Sequence, residues 1–223
     1  MISKSKFKKA VVVGSDSNYE WMIPWWYYFY RKHNNYPVVF IDFGMTPKAT
    51  EFCKKYGAYI KIEEKRKHIW LLKPLAMLSA PSEKILWIDI DCKINGDLAP
   101  IFEYCDKFGC CREVGASKGK NGEAIWGNWN CGVIATNTDN QILKKWDEEC
   151  SKGMNKIDQF NLTKVCAENG FKVVPMNHLY NWLQRFGDNR DCLIFHYAGR
   201  KIDKFKKIKQ IRKIGFDFNF DEM

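Results

Sequence analysis

Proline is scarce in this chain, seven in 223 residues, and no long apolar run occurs. The longest, Trp21 to Tyr30, holds ten residues and contains Pro24. A membrane-spanning helix needs about 20, so this stretch is not one. The first residues, MISKSKFKKAVVVG, lack the apolar segment and small-residue cleavage site of a secretory signal and read as the approach to a first strand. There are nine cysteines but no C-x-x-C pair, which excludes a zinc ribbon. An odd, irregularly spaced set reads as buried small hydrophobes in a reducing, cytoplasmic compartment. What the chain has is apolar mass: 46% hydrophobic and 15% aromatic residues. That excludes wholesale disorder and is enough for one α/β domain.

Acidic residues are outnumbered 26 to 36, and the surplus lies at the ends. Residues 1–9 carry four lysines and no acid; residues 200–213 carry eight Lys or Arg against Asp203 alone. The body is close to neutral. A nucleic-acid domain more often spreads its charge over a folded face, so nucleic acid is not the expected partner. In the tail, Ile202, Phe205, Ile208, Ile211 and Ile214 recur every third residue between the lysines. That pattern suits either a helix packed on the domain or peripheral contact with an anionic membrane through 200–213. The expected division is a domain over 1–199 and a basic tail over 200–223.

The pattern along the body alternates strand and helix. Strands are expected at 10–14, 37–43, 58–62, 85–91, 109–113, 130–137, 172–175 and 192–197. Helices are expected over 19–33, with Pro24 marking a late start, and over 46–56, with Thr46 as N-cap and Pro47 at its first position. Further helices are expected near 74–80, 98–105, 140–150 and 156–169. Such alternation implies a largely parallel sheet with helices on both faces. The WWYYFY run at 25–30 has helical spacing and reads as core.

The strongest chemical signal is Ile85-Leu-Trp-Ile-Asp89-Ile-Asp91, an apolar strand running into two carboxylates one residue apart. On an extended strand, residues i and i+2 face the same way. Both carboxylates would then project from the C-terminal end of a strand, where open α/β sheets bind ligands. Converging carboxylates call for a neutralising cation, and oxygen donors favour Mg or Mn.

Together with other segments, in order, this motif resembles the family-8-type glycosyltransferases, the group with lipopolysaccharide galactosyltransferases and glycogenin. Gly14-Ser-Asp16-Ser-Asn18-Tyr19 resembles the family's A-x-D-x-N-Y loop, Asp89-Ile90-Asp91 its metal-binding D-x-D, and Trp129-Asn130-Cys131-Gly132-Val133 its F-N-[AS]-G-V segment. Asp158-Gln159 resembles its D-Q pair, and His196-Tyr-Ala-Gly199 its H-[YF]-x-G. Lys73 lies where the family has an Arg, Glu113 where it often has Asp, and Lys93 where an apolar residue usually follows the D-x-D. The family's diphosphate lysine falls at Ile202, between Lys201 and Lys204.

The resemblance implies a GT-A fold: one Rossmann-like domain with a mostly parallel mixed sheet. It implies Mn2+ (or Mg2+) on Asp89, Asp91 and His196. It also implies a UDP-sugar held by Asp16, Asn18, Tyr19, Lys73, Asp89, Ile90, Glu113, Asn130, Cys131, Gly199, Lys201 and Lys204. Asp158 and Gln159 would sit at the reacting carbon. A hexose would pass, with retention, to a hydroxyl of a glycan, glycolipid or protein.

Blander readings stand beside these. Asp16 can simply cap a helix and Tyr19 can be a core aromatic. A lone His on an apolar strand is often a satisfied core residue; here the D-x-D supplies partners. His33, His68 and His178 lack that context and read as surface or structural. The stretch Gly115–Lys120 mimics a phosphate loop but is one residue short, with Asn121 in place of Ser or Thr; it reads as a lid. Among enzymes, the alternative is a sugar nucleotidyltransferase. Against it, Ser15–Tyr19 lacks the basic residues such enzymes carry after the first strand. The alternative of another class is a non-catalytic sugar-nucleotide or nucleic-acid binding module.

Overall fold

A computed structural model of the chain describes residues 6–114 and 128–198. In order, it contains β1 (Phe7–Ser15), α1 (Ile23–His33), β2 (Val38–Asp42), α2 (Pro47–Tyr56), β3 (Ala58–Lys61), α3 (Lys73–Ser79), β4 (Ser82–Ile88) and β5 (Cys92–Ile94). Then come α4 (Ala99–Phe102), β6 (Phe108–Arg112), β7 (Trp129–Asn137), α5 (Gln141–Ser151), α6 (Asp158–Asn169), β8 (Val174–Pro175), β9 (Trp182–Leu183) and β10 (Ile194–His196).

Local chemistry sets the boundaries. A 3-10 turn over Glu20–Met22 precedes α1, so Pro24 falls in the first helical turn, where its missing N–H costs no intrahelical bond. The Thr46 hydroxyl accepts the Ala49 N–H and opens α2 ahead of Pro47. Asn140 caps α5 by accepting the Ile142 N–H at 2.9 Å. Gly170, at φ 65°, closes α6 in the left-handed conformation that glycine adopts without a Cβ clash.

The main sheet has the order β3-β2-β1-β4-β7-β6-β8. β1 to β4 are mutually parallel, while β7 runs antiparallel to both neighbours. Side chains alternate between two cores. Val11, Val13, Leu86 and Ile88 pack with α1, α2 and α4. Ala10, Val12, Ile85 and Trp87 pack with α3, α5 and α6. The fold is therefore three-layered, and the central strands are apolar on both faces as parallel strands must be. Trp25, Trp26 and Tyr30 are fully buried, Tyr27 and Phe29 pack half-buried against the same core, and Tyr28 is exposed.

All nine cysteines are buried thiols. Burial pushes the Cys53, Cys105 and Cys150 thiols up to about 12, so they are not nucleophiles at neutral pH.

Two features depart from the sequence reading. β4 stops at Ile88, not Asp91. A second sheet, β5-β10-β9, lies beyond it, with Ile194 paired to Ile94 and His196 to Cys92. Among the described residues no helix is long and apolar enough to cross a membrane. The tail over 200–223 and the stretch Gly115–Lys120 lie outside the described residues.

Candidate active site

The chain turns from β1 toward β2 and β3 on one side, whereas β4 lies on the other side of β1. The connections leaving β1 and β4 therefore part company at their C-terminal ends. Such a topological switch point is the place where open α/β sheets form a crevice. Asp16–Tyr19 follows β1, and Asp89–Asp91 follows β4.

Asp89–Asp91 forms a turn rather than an extended strand end. The Cys92 N–H donates to the Asp89 carbonyl at 3.0 Å. The Asp89 N–H donates to the Gly132 carbonyl at 2.8 Å, and the Tyr197 N–H to the Asp91 carbonyl at 3.0 Å. The turn, not strand alternation, brings the two side chains to one side. Both carboxylates reach one imidazole: His196 Nε2 lies 3.3 Å from Asp91 Oδ1 and 4.0 Å from Asp89 Oδ2. Ile90, half-buried, packs against the core between them.

Lys73 occupies the interior of the site. Its Nζ lies 3.0 Å from Asp89 Oδ1 and 3.1 Å from Asp158 Oδ2, and donates to the Cys131 carbonyl at 2.9 Å. Desolvation opposes the charge, but Asp158 and Asp89 outweigh it and raise the ammonium above its ordinary range. Trp87 Nε1 donates to Asp89 Oδ1 at 2.6 Å. Burial nevertheless pushes the Asp89 carboxyl up, against the pull of Lys73. One buried cation therefore joins the expected metal ligand Asp89 to the expected catalytic residue Asp158.

A second network runs behind His196. Its Nδ1 lies 2.8 Å from Asn181 Oδ1. Asn181 Nδ2 donates to Asn130 Oδ1 at 2.8 Å, which also accepts the Gly132 N–H at 3.0 Å. Asn130 Nδ2 donates to Glu113 Oε2 at 2.7 Å. The same carboxylate accepts Gln159 Nε2 at 3.2 Å and pairs with Arg185. Gln159 Oε1 in turn accepts the Cys131 N–H at 3.3 Å. Gly132 makes room for the imidazole: a Cβ there would lie 2.2 Å from His196 Cε1.

At the end of β1, Asp16 accepts both the Asn18 N–H and the Asn18 side-chain amide, at 3.0 and 2.9 Å. This is an Asx-type turn, not a helix cap. Tyr19 is exposed at its tip.

The donor set fits a divalent cation. His196 Nε2 faces two carboxylates while Nδ1 is engaged behind it, and mixed oxygen and imidazole donors suit Mn2+. Ligand atoms of Asp91, His196 and Cys92 converge within 4.8 Å of one another. Cys92 was not expected there, and the more distant Asp89 would complete the set through Oδ2.

The fold brings Lys73, Glu113, Asn130, Cys131, Asp158, Gln159 and His196 into one connected set of contacts. The sequence does not single out Asn181 and Arg185 as their partners, because isolated residues in His178–Phe186 carry no spacing signal; Trp87, inside the Ile85–Asp91 motif, reads only as an apolar strand residue. Gly199, Lys201 and Lys204 lie outside the described residues. A cavity of about 340 Å3 lined by Lys6, Tyr27, Arg31 and Tyr36 opens at the opposite, N-terminal end of β1–β3.

No family model matches the chain, and no curated protein matches it either. Solved structures do. The apo form of the glycosyltransferase GlyE of Streptococcus pneumoniae TIGR4 superposes with a TM-score of 0.67 at 17% identity, over 95% of this chain and 61% of that one. This chain thus spans about three fifths of GlyE. The galactosyltransferase LgtC, in complex with donor and acceptor sugar analogs, gives 0.61 at 17% identity over 93% of this chain and 97% of that one. The bifunctional glycosyltransferase WbbM gives 0.63 at 14% over 93% and 52%. The chain has the GT-A fold of these glycosyltransferases.

Proposed function

We propose that this protein is a metal-dependent glycosyltransferase moving a hexose from a UDP-linked sugar to an acceptor hydroxyl, with retention. The observation that carries the reading is the convergence of Asp89, Asp91 and His196 at the switch point of a GT-A fold. A bound divalent cation, Mn2+ before Mg2+, would neutralise charge on the departing diphosphate.

The protein's own groups supply the rest. Tyr19 stacks on the uracil, worth about 1–3 kcal/mol by analogy with base–aromatic contacts, and the Asp16–Asn18 turn holds the nucleoside. Lys201 and Lys204, beyond the described residues, are assigned to the diphosphate. Asn130, Cys131 and Gln159 line the sugar side, with Glu113 fixing two of them. Asp158, held against Lys73, supports the reacting carbon electrostatically. A protein base is not required if the departing phosphate oxygen takes the acceptor proton on the same face.

The acceptor is a glycan, glycolipid or protein. We assign the protein to the cytoplasm, with 200–213 touching an anionic membrane; equal vesicle binding by the full chain and by one ending at Gly199 would remove that contact. The deciding experiment is a panel of nucleotide sugars with Mn2+, scored by donor hydrolysis. Hydrolysis of UDP-sugars that stops in excess EDTA is expected. Undiminished turnover in EDTA overturns the metal dependence. Pyrophosphate-dependent exchange without transfer would instead favour a nucleotidyltransferase, and steep salt-dependent oligonucleotide binding a basic binding module.

A further inference from the structure

We infer that Asn181 is a positioning residue that holds His196 as the Nδ1–H tautomer, leaving the Nε2 lone pair facing Asp91 and Asp89 for a divalent cation. The inference rests on the proposed reading of His196 as a ligand, but its readout does not.

The polarity of the hydrogen bonds orients each group in turn. Glu113 has a buried carboxylate whose partners among the described residues are N–H groups: Asn130, Gln159 and Arg185. A carboxylate accepts from these groups, so the Asn130 amide must point its NH2 toward Glu113. Its Oδ1 then faces the other way. That orientation is set independently, because Oδ1 also takes the Gly132 backbone N–H, which can only donate. Asn130 Oδ1 therefore accepts from Asn181, which fixes the Asn181 NH2 on that side. What remains for His196 is Asn181 Oδ1, an acceptor at 2.8 Å. The imidazole must place its proton on Nδ1 to meet it.

The alternative tautomer has a clear attraction. An Nε2–H would point at Asp91 Oδ1, 3.3 Å away, and would occupy the lone pair a cation needs. Asn181 decides between the two. Asn130, Asn181 and His196 are all buried, so solvent does not readily substitute for a missing partner. The chain begins at a carboxylate with an Arg counter-ion and ends at a ring nitrogen, and each amide in it has one permitted orientation.

The test is long-range 1H–15N NMR on metal-free, full-length protein with 15N-histidine, at a pH of about 8, above the ordinary histidine range. The His196→Gln variant identifies its signals among the four histidines. The expected result is a protonated Nδ1 and a bare Nε2. An Nε2–H tautomer, or a persistent imidazolium, overturns the inference without any variant. Asn181→Leu should move the proton toward Nε2 and weaken Mn2+ binding, read by calorimetry, by about 10–100-fold. Asn181→Asp, which keeps an acceptor, should keep Nδ1 protonated. Unchanged His196 signals in Asn181→Leu would also overturn it. If the wild type shows Nδ1–H but binds no Mn2+, the metal reading fails while the positioning role stands.

Discussion

Replacing Gly132 by alanine tests the site through one methyl group. The added Cβ would sit 2.2 Å from His196 Cε1, 2.5 Å from His196 Nδ1 and 3.0 Å from Asn130 Oδ1. Comfortable carbon contacts begin near about 3.5 Å, so the imidazole must retreat by more than about 1 Å. Neither backbone yields easily. Gly132 is tied to Asp89 through its carbonyl, and β10 is paired to β5 on one side and β9 on the other. Overpacking of this kind costs about 1–3 kcal/mol of stability. For a chain of this size that is a fall in Tm of about 2–4 °C per kcal/mol. The functional loss should be larger. A misplacement of about 1 Å in a catalytic array costs about 100-fold, or about 2.7 kcal/mol of barrier. Donor hydrolysis, Mn2+ calorimetry and thermal melts read the three effects separately. The expected variant is folded, a few degrees less stable, and crippled in metal binding. Wild-type metal affinity and turnover would refute the argument that Gly132 exists to seat His196.

Asp89→Asn and Asp91→Asn should each cost at least about 100-fold in turnover, about 2.7 kcal/mol, with the fold retained; a near wild-type rate removes that residue from the ligand set. Lys73→Met strands Asp89 and Asp158 without their shared cation and should cost about 3–5 kcal/mol of stability, read by urea unfolding; a neutral result would show that the three do not depend on one another. Glu149 is paired with Lys152 and Lys164, whose hydrogen bonds hold its carboxyl below the ordinary 4.5. Its contribution is therefore present above pH 4.5 and lost as pH falls through the lowered value. Glu149→Gln should flatten the acid limb of the stability profile, and an unchanged limb would contradict this.

The layered fold was legible because its signals are local. Apolar runs mark β1, β2 and β4, and Thr46-Pro47 marks the start of α2. The end of β4 was not. Nothing in Ile-Asp-Ile-Asp distinguishes a strand from a turn; the turn follows from the Asp89 N–H bonding across to Gly132, a residue over forty positions away. The small second sheet was hidden for the same reason. β5, β9 and β10 are two or three residues long, and β5 pairs with β10 across about a hundred residues, so no periodicity can develop. At the site, motif residues were readable one by one. Their wiring was not: Lys73 gave no sign of its contact with Asp158, and Asn181 sits in Leu-Tyr-Asn-Trp without any pattern to single it out.

The sharing of Lys73 has an electrostatic consequence. Asp89, Asp91 and Asp158 bring three formal negative charges into one crevice, and Lys73 returns one positive charge. Glu113 is already matched by Arg185. Because Lys73 is divided between Asp89 and Asp158, neither carboxylate has the ammonium to itself. A neutral residue at Asp158 would leave Lys73 wholly to Asp89, so the two positions should not behave independently when altered.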